Sequence, residues 1–432
     1  MTLAILLALL SFAVEPASDS KKYWPQWRGP SATGVAPNAH PPLEWSEEKN
    51  LRWKIEIAGK GSSSPIVWGD RLYVTTAIAT GKNAAPQSEG SSRRGIAATE
   101  VQKFVLLAIS RRDGKIIWQH TAIEALPHEG THNDGSWASN SPITDGEHII
   151  ASFGSRGLFC YDMNGKLIWQ KDLGNMTTRN SFGEGSSPAL HGNTLVVNWD
   201  HEGQSFIIAL DKRTGKELWK ADRTEPTSWS TPLVVQHDGK PQVIVNATNR
   251  VRSYDLVNGN LIWENTGTTL NAIPSPVATE DVVYVTGGFR GSALFAIRFA
   301  GATGDLSNSV AVVWKYDQDT PYVPSPLLYD DKLYFLKVNT GILSCFNAKT
   351  GEPHYSRQRL ENIANIYASP VGAAGRVYLV GRDGTTMVIK NATSYEVLAT
   401  NKLEDGIDAS PALVDNELYL RGRKFLYCLA EK

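Results

Sequence analysis

From residue 51 to the C-terminus the chain alternates apolar and polar residues in short runs, and polar turns of two to four residues break the runs. PALHGNTLVVNWD (188–200) and PLLYDDKLYFLKV (326–338) show the form, and TDGE, TEDV and VDNE are the corresponding turns elsewhere. Period-two alternation punctuated by Gly, Asn and Asp predicts antiparallel strands in a meander rather than helices. A Ser-Pro or Thr-Pro pair opens each cycle, at Pro65, Pro142, Pro188, Pro232, Pro276, Pro326, Pro370 and Pro411. Two apolar runs follow the pair, then a short third strand, a tight turn, and a fourth strand carrying an aromatic residue. Eight pairs therefore predict eight four-stranded units, A to D in order.

The turn between the third and fourth strands is the most repeated element. It reads DKRTGKELW at 211–219, SRRDGKIIW ending at Trp118, YDMNGKLIW at Trp169, YDLVNGNLIW at Trp263 and, more faintly, FNAKTGEPHY at Tyr355. Asp211 can accept main-chain hydrogen bonds across the turn, and Gly215 supplies the left-handed conformation a tight hairpin needs. The tryptophan then offers a large apolar face for packing between neighbouring sheets. Repeating that wedge explains thirteen tryptophans beside only four methionines. The cysteines, Cys160, Cys345 and Cys428, fall in the slot that Ala209 occupies elsewhere, one that wants a small buried residue. They sit in different units, so disulfide pairing is not expected.

The last unit, from Pro411 to Lys432, supplies only three strands. The missing outer strand is available as LRWKIEI around Trp53, ahead of the first proline. The N-terminal strand is therefore expected to complete the C-terminal unit and close a ring, which removes exposed sheet edges. Upstream, MTLAILLALLSFAVEPAS has signal-peptide length, and Ser11-Phe12-Ala13 suits a signal peptidase, although a basic start is missing. Residues 1–20 read as a signal peptide, 21–50 as an N-terminal extension and 51–432 as one all-β propeller, secreted or periplasmic. No later stretch is apolar enough to span a membrane. A formal net charge of −1 argues against a general nucleic-acid or anionic-membrane role.

The D-x-x-T-G-K-x-x-W repeat resembles the eight-bladed propellers of the pyrroloquinoline quinone (PQQ) repeat class over about residues 51 to 430, and YWPQWRGPSATG resembles the start of secreted bacterial members without assigned function. The class includes quinoprotein alcohol dehydrogenases and non-catalytic relatives such as the periplasmic lipoprotein of the outer-membrane barrel-assembly machinery. Three units depart from the pattern. Unit five stretches its turn to AGATGDLSNS, unit six has Tyr355 for tryptophan, and NATSYEVLA in unit seven has neither glycine nor tryptophan.

In such a meander the A–B and C–D turns share one face, and the B–C and D–A connections share the other. The second face carries the longer loops, including ATGKNAAPQSEGSSRRGIAATE in unit one, whose composition predicts a mobile insertion. Function is expected there. The D–A loops are expected to bring His132, Asp134, Trp137, Asn140, Glu184, Trp229, Asn271, Tyr322, Tyr367 and Asp408 near the ring's mouth. The B–C loops place cations at matching positions: Arg156, Arg250, Arg290, Lys337, Arg382 and Arg421. Converging, these could focus a positive potential for carboxylates, sulfates or phosphates; otherwise they are solvated or paired with nearby loop acids. With Trp137, Trp229 and Tyr367 as aromatic anchors, the six cations are the candidate ligand-binding residues for a protein or an anionic, glycan-like partner, the chain reading as a monomer.

The resemblance also implies an alternative, a PQQ- and Ca²⁺-dependent dehydrogenase, in which Glu184, Asn271 and Asp317 or Asp319 would imitate the family's metal-site residues and Trp229 the quinone floor. Against it, adjacent cysteines and a Cys-x-x-Cys-His haem site are missing. Nor is there a Gly-x-Ser-x-Gly elbow, a P-loop or a His-Glu-x-x-His. His128 and His132 lie in a Pro/Gly-containing loop, and His201 beside Asp200 and Glu202 reads as a solvated turn. The sequence favours a binding or scaffolding module without catalysis of its own, and no cofactor is expected.

Overall fold

The computed structural model describes residues 20–85 and 95–431, so the signal-peptide expectation for residues 1–20 falls essentially outside them. Eight antiparallel sheets account for the strands of the ring, and in the first seven the innermost strand comes first in sequence. Blade 1 comprises Ile66–Trp68, Arg71–Asn83, Glu100–Ser110 and Ile116–Ala125. Blade 8 comprises Ala412–Val414, Glu417–Arg421 and Phe425–Ala430, and its outer strand is Leu51–Glu56, pairing antiparallel with Lys54 opposite Tyr427. The ring closes by its N-terminal strand, as the strand count required.

The repeated turn works as a staple between blades. Asp211 Oδ1 accepts the main-chain N–H groups of Arg213 (3.0 Å) and Thr214 (3.1 Å), and Gly215 has φ +67°. Trp219 is buried, donates from Nε1 to Leu256 O of the next blade at 2.8 Å, and lies under the next turn glycine. A Cβ at Gly259 would stand 2.5 Å from Trp219 Cε3. Directly across the sheet from each wedge is a small residue: Cys160 faces Trp169, Ala209 faces Trp219, and Cys428 faces Trp53. All three thiols are buried and free, and burial pushes each up to about 12, so they are packing groups rather than nucleophiles.

The departures in units five to seven have tertiary explanations. The long turn of blade 5 returns as Gly304–Asp305 and pairs in parallel with Trp263 and Glu264, adding a fifth strand to blade 4 and covering Trp263. In blade 7, Ala399 stands opposite Val388, where other blades carry the wedge. Trp45 from the N-terminal extension packs into that cluster, its main-chain N–H donating to Asn401 Oδ1 at 2.8 Å. In blade 6, Tyr355 meets Tyr395 edge to face at 5.9 Å.

The extension itself runs along the inner strands. Trp24 exchanges main-chain hydrogen bonds with Val67 (3.1 and 2.7 Å), Pro25 O accepts from Thr144 at 2.9 Å, and Ala36 donates to Gly372 O at 2.9 Å. These contacts tie the segment to blades 1, 2 and 7 and satisfy inner-edge backbone groups that a bare channel would expose. Arg28 is fully buried there. It donates to Pro370 O (2.6 Å), Thr33 O (2.9 Å) and Pro326 O, which offset the desolvation of its charge.

Above this plug the residues before the eight prolines form a closed hydrogen-bonded circle. Each main-chain N–H donates to the hydroxyl of the equivalent residue in the next blade: Ser64 to Ser141 (2.9 Å), Ser141 to Ser187 (2.9 Å), Ser187 to Thr231 (3.1 Å) and Thr231 to Ser275 (2.8 Å). Ser275 to Ser325, Ser325 to Ser369 and Ser369 to Ser410 (2.9 Å each), then Ser410 to Ser64 (3.0 Å), complete it. A residue preceding proline is held extended, which suits this uniform presentation of hydroxyl and N–H.

Candidate functional site

The hydroxyl circle rims a cavity of about 310 Å³ at the mouth on the long-loop face. Its lining includes Trp27 from the extension, six of the ring hydroxyl residues, and His132, Asp134, Phe182, Glu184, Trp229, Tyr322, Tyr367 and Asp408 from the D–A loops. Two aromatic anchors expected from the sequence, Trp229 and Tyr367, are therefore part of the mouth. Trp137 is not among its lining residues. Its Nε1 donates to Glu129 O at 3.0 Å, and it lines a small side pocket with Arg156. Asn140 is buried, donating to Ser186 O at 2.5 Å.

The insertion in blade 1 bears on this face. At its two ends strand structure continues through Asn83 and resumes at Glu100, and Gly95 and Ile96 pair with His132 and Thr131. The insertion thus braces the loop that carries His132 and Asp134. Residues 86–94 lie outside the described residues.

The six cations do not converge on the mouth; none of them lines that cavity. Arg250 pairs with Glu264, and Lys337 with Asp319 at 2.8 Å. Arg290 lies 5.4 Å from the Phe289 ring, and Arg156 donates to Leu126 O at 2.7 Å. Arg382 stacks 3.9 Å over Tyr367 and binds Asp134 (2.9 Å) and Asp408 (2.5 Å), while Tyr367 Oη donates to Asp134 at 3.1 Å. Arg250, Lys337 and Arg382 thus pair with nearby acids, Glu264 on a strand and Asp319, Asp134 and Asp408 in loops. The network orients the Tyr367 ring at the mouth and leaves little free positive charge there. Arg421 is different: it is buried, held by Ser63, and has no ion-pair partner among the described residues.

The residues of the calcium alternative differ in their surroundings. Glu184 lines the mouth, but both its oxygens accept from Ser155, from N at 2.6 Å and Oγ at 2.5 Å. Burial pushes its carboxyl up to about 7. Asp319 is held by Lys337 and Arg357 (2.6 Å), which keep it below the usual carboxylate range. Asn271 is buried at φ +54° with Oδ1 unpartnered, and neither it nor Asp319 lines the mouth. A calcium site takes about six to eight oxygen ligands. Here Glu184 turns both oxygens to Ser155 and Asp319 is paired with Lys337 and Arg357, so neither carboxylate of this set is free to serve one. The described triad of acidic and histidine side chains with close ligand atoms, Asp145, Glu147 and His148, sits at a tight turn of blade 2, where Lys212 Nζ lies 2.6 Å from Asp145.

A second buried carboxyl, Glu129, adjoins Glu184. Burial pushes it up to about 7, aided by the Glu184 charge and opposed by hydrogen bonds from Thr178. His201, expected as a solvated turn, is instead buried, its Nδ1 accepting from Thr177 N at 3.1 Å and Nε2 3.1 Å from Gln204 O. Sequence reasoning also missed Trp27, Phe182 and Glu129. Trp27 had a signal, since YWPQWRGPSATG is conspicuously aromatic ahead of the repeats. Nothing local told that it would enter the channel.

Comparison with known proteins agrees with this architecture. A family model described as outer membrane protein assembly factor BamB matches residues 43–197, 102–355 and 203–432. An outer membrane protein assembly factor BamB of Shewanella oneidensis is 24% identical over 67% of this chain, and the match spans only 62% of that relative's length. The protein of that name from Burkholderia pseudomallei is 23% identical over 85% of this chain and 84% of its own. Among solved structures, BamB from Moraxella catarrhalis superposes with TM-score 0.57 at 14% identity, covering 88% of this chain and 97% of that one. A quinohemoprotein alcohol dehydrogenase from Pseudomonas putida HK5 also gives 0.57, at 12% identity over 96% and 81% of the two chains. The structural likenesses speak for the fold alone. The family match covers nearly all of the eight blades, and the chain belongs to the PQQ-repeat propeller family described as outer membrane protein assembly factor BamB.

Proposed function

We propose that this chain is an exported, non-catalytic propeller that binds a segment of a partner protein at its long-loop face. The observation that carries the reading is the mouth: a cavity of about 310 Å³ walled by Trp27, Phe182, Trp229, Tyr322 and Tyr367, on a rigid rim of hydroxyls. Rigid aromatic rings at the edge of a concave site present large contact area at low entropic cost, as binding hot spots require. An acidic glycan has less support at the mouth, because the six loop cations lie outside it. The names of the sequence relatives, assembly factors, favour a protein partner.

The test uses the full-length chain with a photo-crosslinking residue at Tyr322, in its native host. One discrete protein adduct is expected, lost in Trp229→Ala and not formed from a probe at Lys349 on the tight-turn face. Equal crosslinking from both faces would sink the proposal. In parallel, PQQ is titrated with and without Ca²⁺ while tryptophan emission is followed. A saturable Ca²⁺-dependent quench abolished in Glu184→Gln would replace binding by the dehydrogenase reading.

A further inference from the structure

A second cavity of about 460 Å³ opens on the long-loop face where blades 7, 8 and 1 meet. It is lined by five cationic residues, Lys60, Arg382, Arg421, Arg423 and Lys424, against two carboxylates, Asp134 and Asp408. Those carboxylates are already engaged: Arg382 holds both, and Arg423 Nε binds Asp408 at 3.0 Å. Asp405, beneath Gly422, turns its Oδ2 to the main-chain N–H groups of Lys424 and Phe425, at 3.0 Å each.

Arg421 is the unusual member. It is 2% exposed, and its partners among the described residues are the main-chain and hydroxyl oxygens of Ser63. Two neutral oxygens leave most of a five-donor guanidinium unmatched, and a buried charge without a counter-charge is costly. Nη2 faces Gly61, where an added Cβ would lie 2.2 Å away, so the backbone comes as close to the guanidinium as a glycine permits. Lys60 and Lys424 stand exposed at the rim, with Lys60 Nζ donating to Asn133 O at 3.2 Å.

We infer that this cleft is a binding site for a small multivalent oxyanion, a phosphate or a compact polycarboxylate, seated on Arg421 and neutralised further by Lys60 and Lys424. A planar guanidinium fork matches two oxygens of such a group, and the ammonium groups add charge without fixing geometry. The site adjoins the aromatic mouth, sharing Ser62, Asp134, Asp408 and Ala409 with its lining, but does not depend on the protein-binding reading.

The experiment is calorimetric titration at constant ionic strength with inorganic phosphate and, separately, citrate. Saturable one-to-one binding of at least one is expected, the stronger identifying the ligand's chemistry as phosphate or polycarboxylate. Arg421→Met is expected to abolish it. Because Arg421 also bonds Ser63, the deciding variant is the rim double Lys60→Ala/Lys424→Ala, expected to weaken binding roughly tenfold at about one rim charge's worth each. Lys349→Ala, on the opposite face, should leave it unchanged. Absence of saturation with both anions, or equal affinity in the rim double and Lys349→Ala, would overturn the inference.

Discussion

Replacing one hydroxyl of the circle tests whether it stabilises the ring or merely accompanies it. Ser369 is well suited: its Oγ accepts from Ser325 N at 2.9 Å, and the two residues are 3% and 1% exposed. Ser369→Ala removes the acceptor and leaves a buried N–H unmatched, a loss of about 1–3 kcal/mol. Unfolding entropy near 2.1 cal/mol/K per residue gives about 0.85 kcal/mol/K for a ring of about 400 residues, so the melting temperature should fall by about 1–4 °C. Ser369→Thr keeps the hydroxyl, as Thr231 does in the native circle, and should melt close to wild type. Differential scanning calorimetry at fixed scan rate reads both, with denaturant midpoints as a check. If the alanine variant melts within about 0.5 °C of wild type while the threonine variant melts lower, the circle is a consequence of packing and carries no energy of its own.

Three further outcomes are expected. Gly259→Ala should destabilise strongly, since its φ is +78° and a Cβ would stand 2.5 Å from the Trp219 ring; Trp219→Ala should cost about 3–5 kcal/mol, both read by thermal melting. Deleting residues 51–57 strips the outer strand from blade 8 and should abolish soluble folding; a soluble deletion chain with a single cooperative melt would refute the closure. Glu129, raised to about 7 from 4.5, holds its proton more tightly folded than unfolded, so its contribution to stability is present below the unfolded value and is lost as pH rises towards 7. Wild type should therefore lose roughly 1–3 kcal/mol more than Glu129→Gln between pH 5 and pH 8, and identical pH dependence in the two proteins would refute the shift.

Much of the ring is legible in local pattern because a meander is built from neighbours in sequence. Strand alternation, turn glycines and the tryptophan step depend on residues a few positions apart, so eight blades, the wedge and the small slot opposite it follow from the chain alone. The closure by Leu51–Glu56 was also legible, by counting strands against blades. The site was legible only in part. Topology places Trp229, Tyr367 and Glu184 at the mouth, but the partner of each charge is chosen by distances between blades. Arg382 finds Asp134 from a loop 248 residues away, and Arg28 finds Pro370 across 342 residues.

The sequence by itself therefore determined the repeat, its register and the ring, because propensity and periodicity act over short range. Tertiary structure alone decided what fills the channel, how the eight hydroxyls join, and which cations stay unpaired. Trp24 and Arg28 sit in a segment outside the repeats, and only in the folded ring do the inner strands present unsatisfied backbone groups to them. Arg421 looks like its fellow loop cations until burial leaves it without an ion-pair partner among the described residues. Both outcomes are long-range electrostatics and desolvation, which a one-dimensional pattern does not encode.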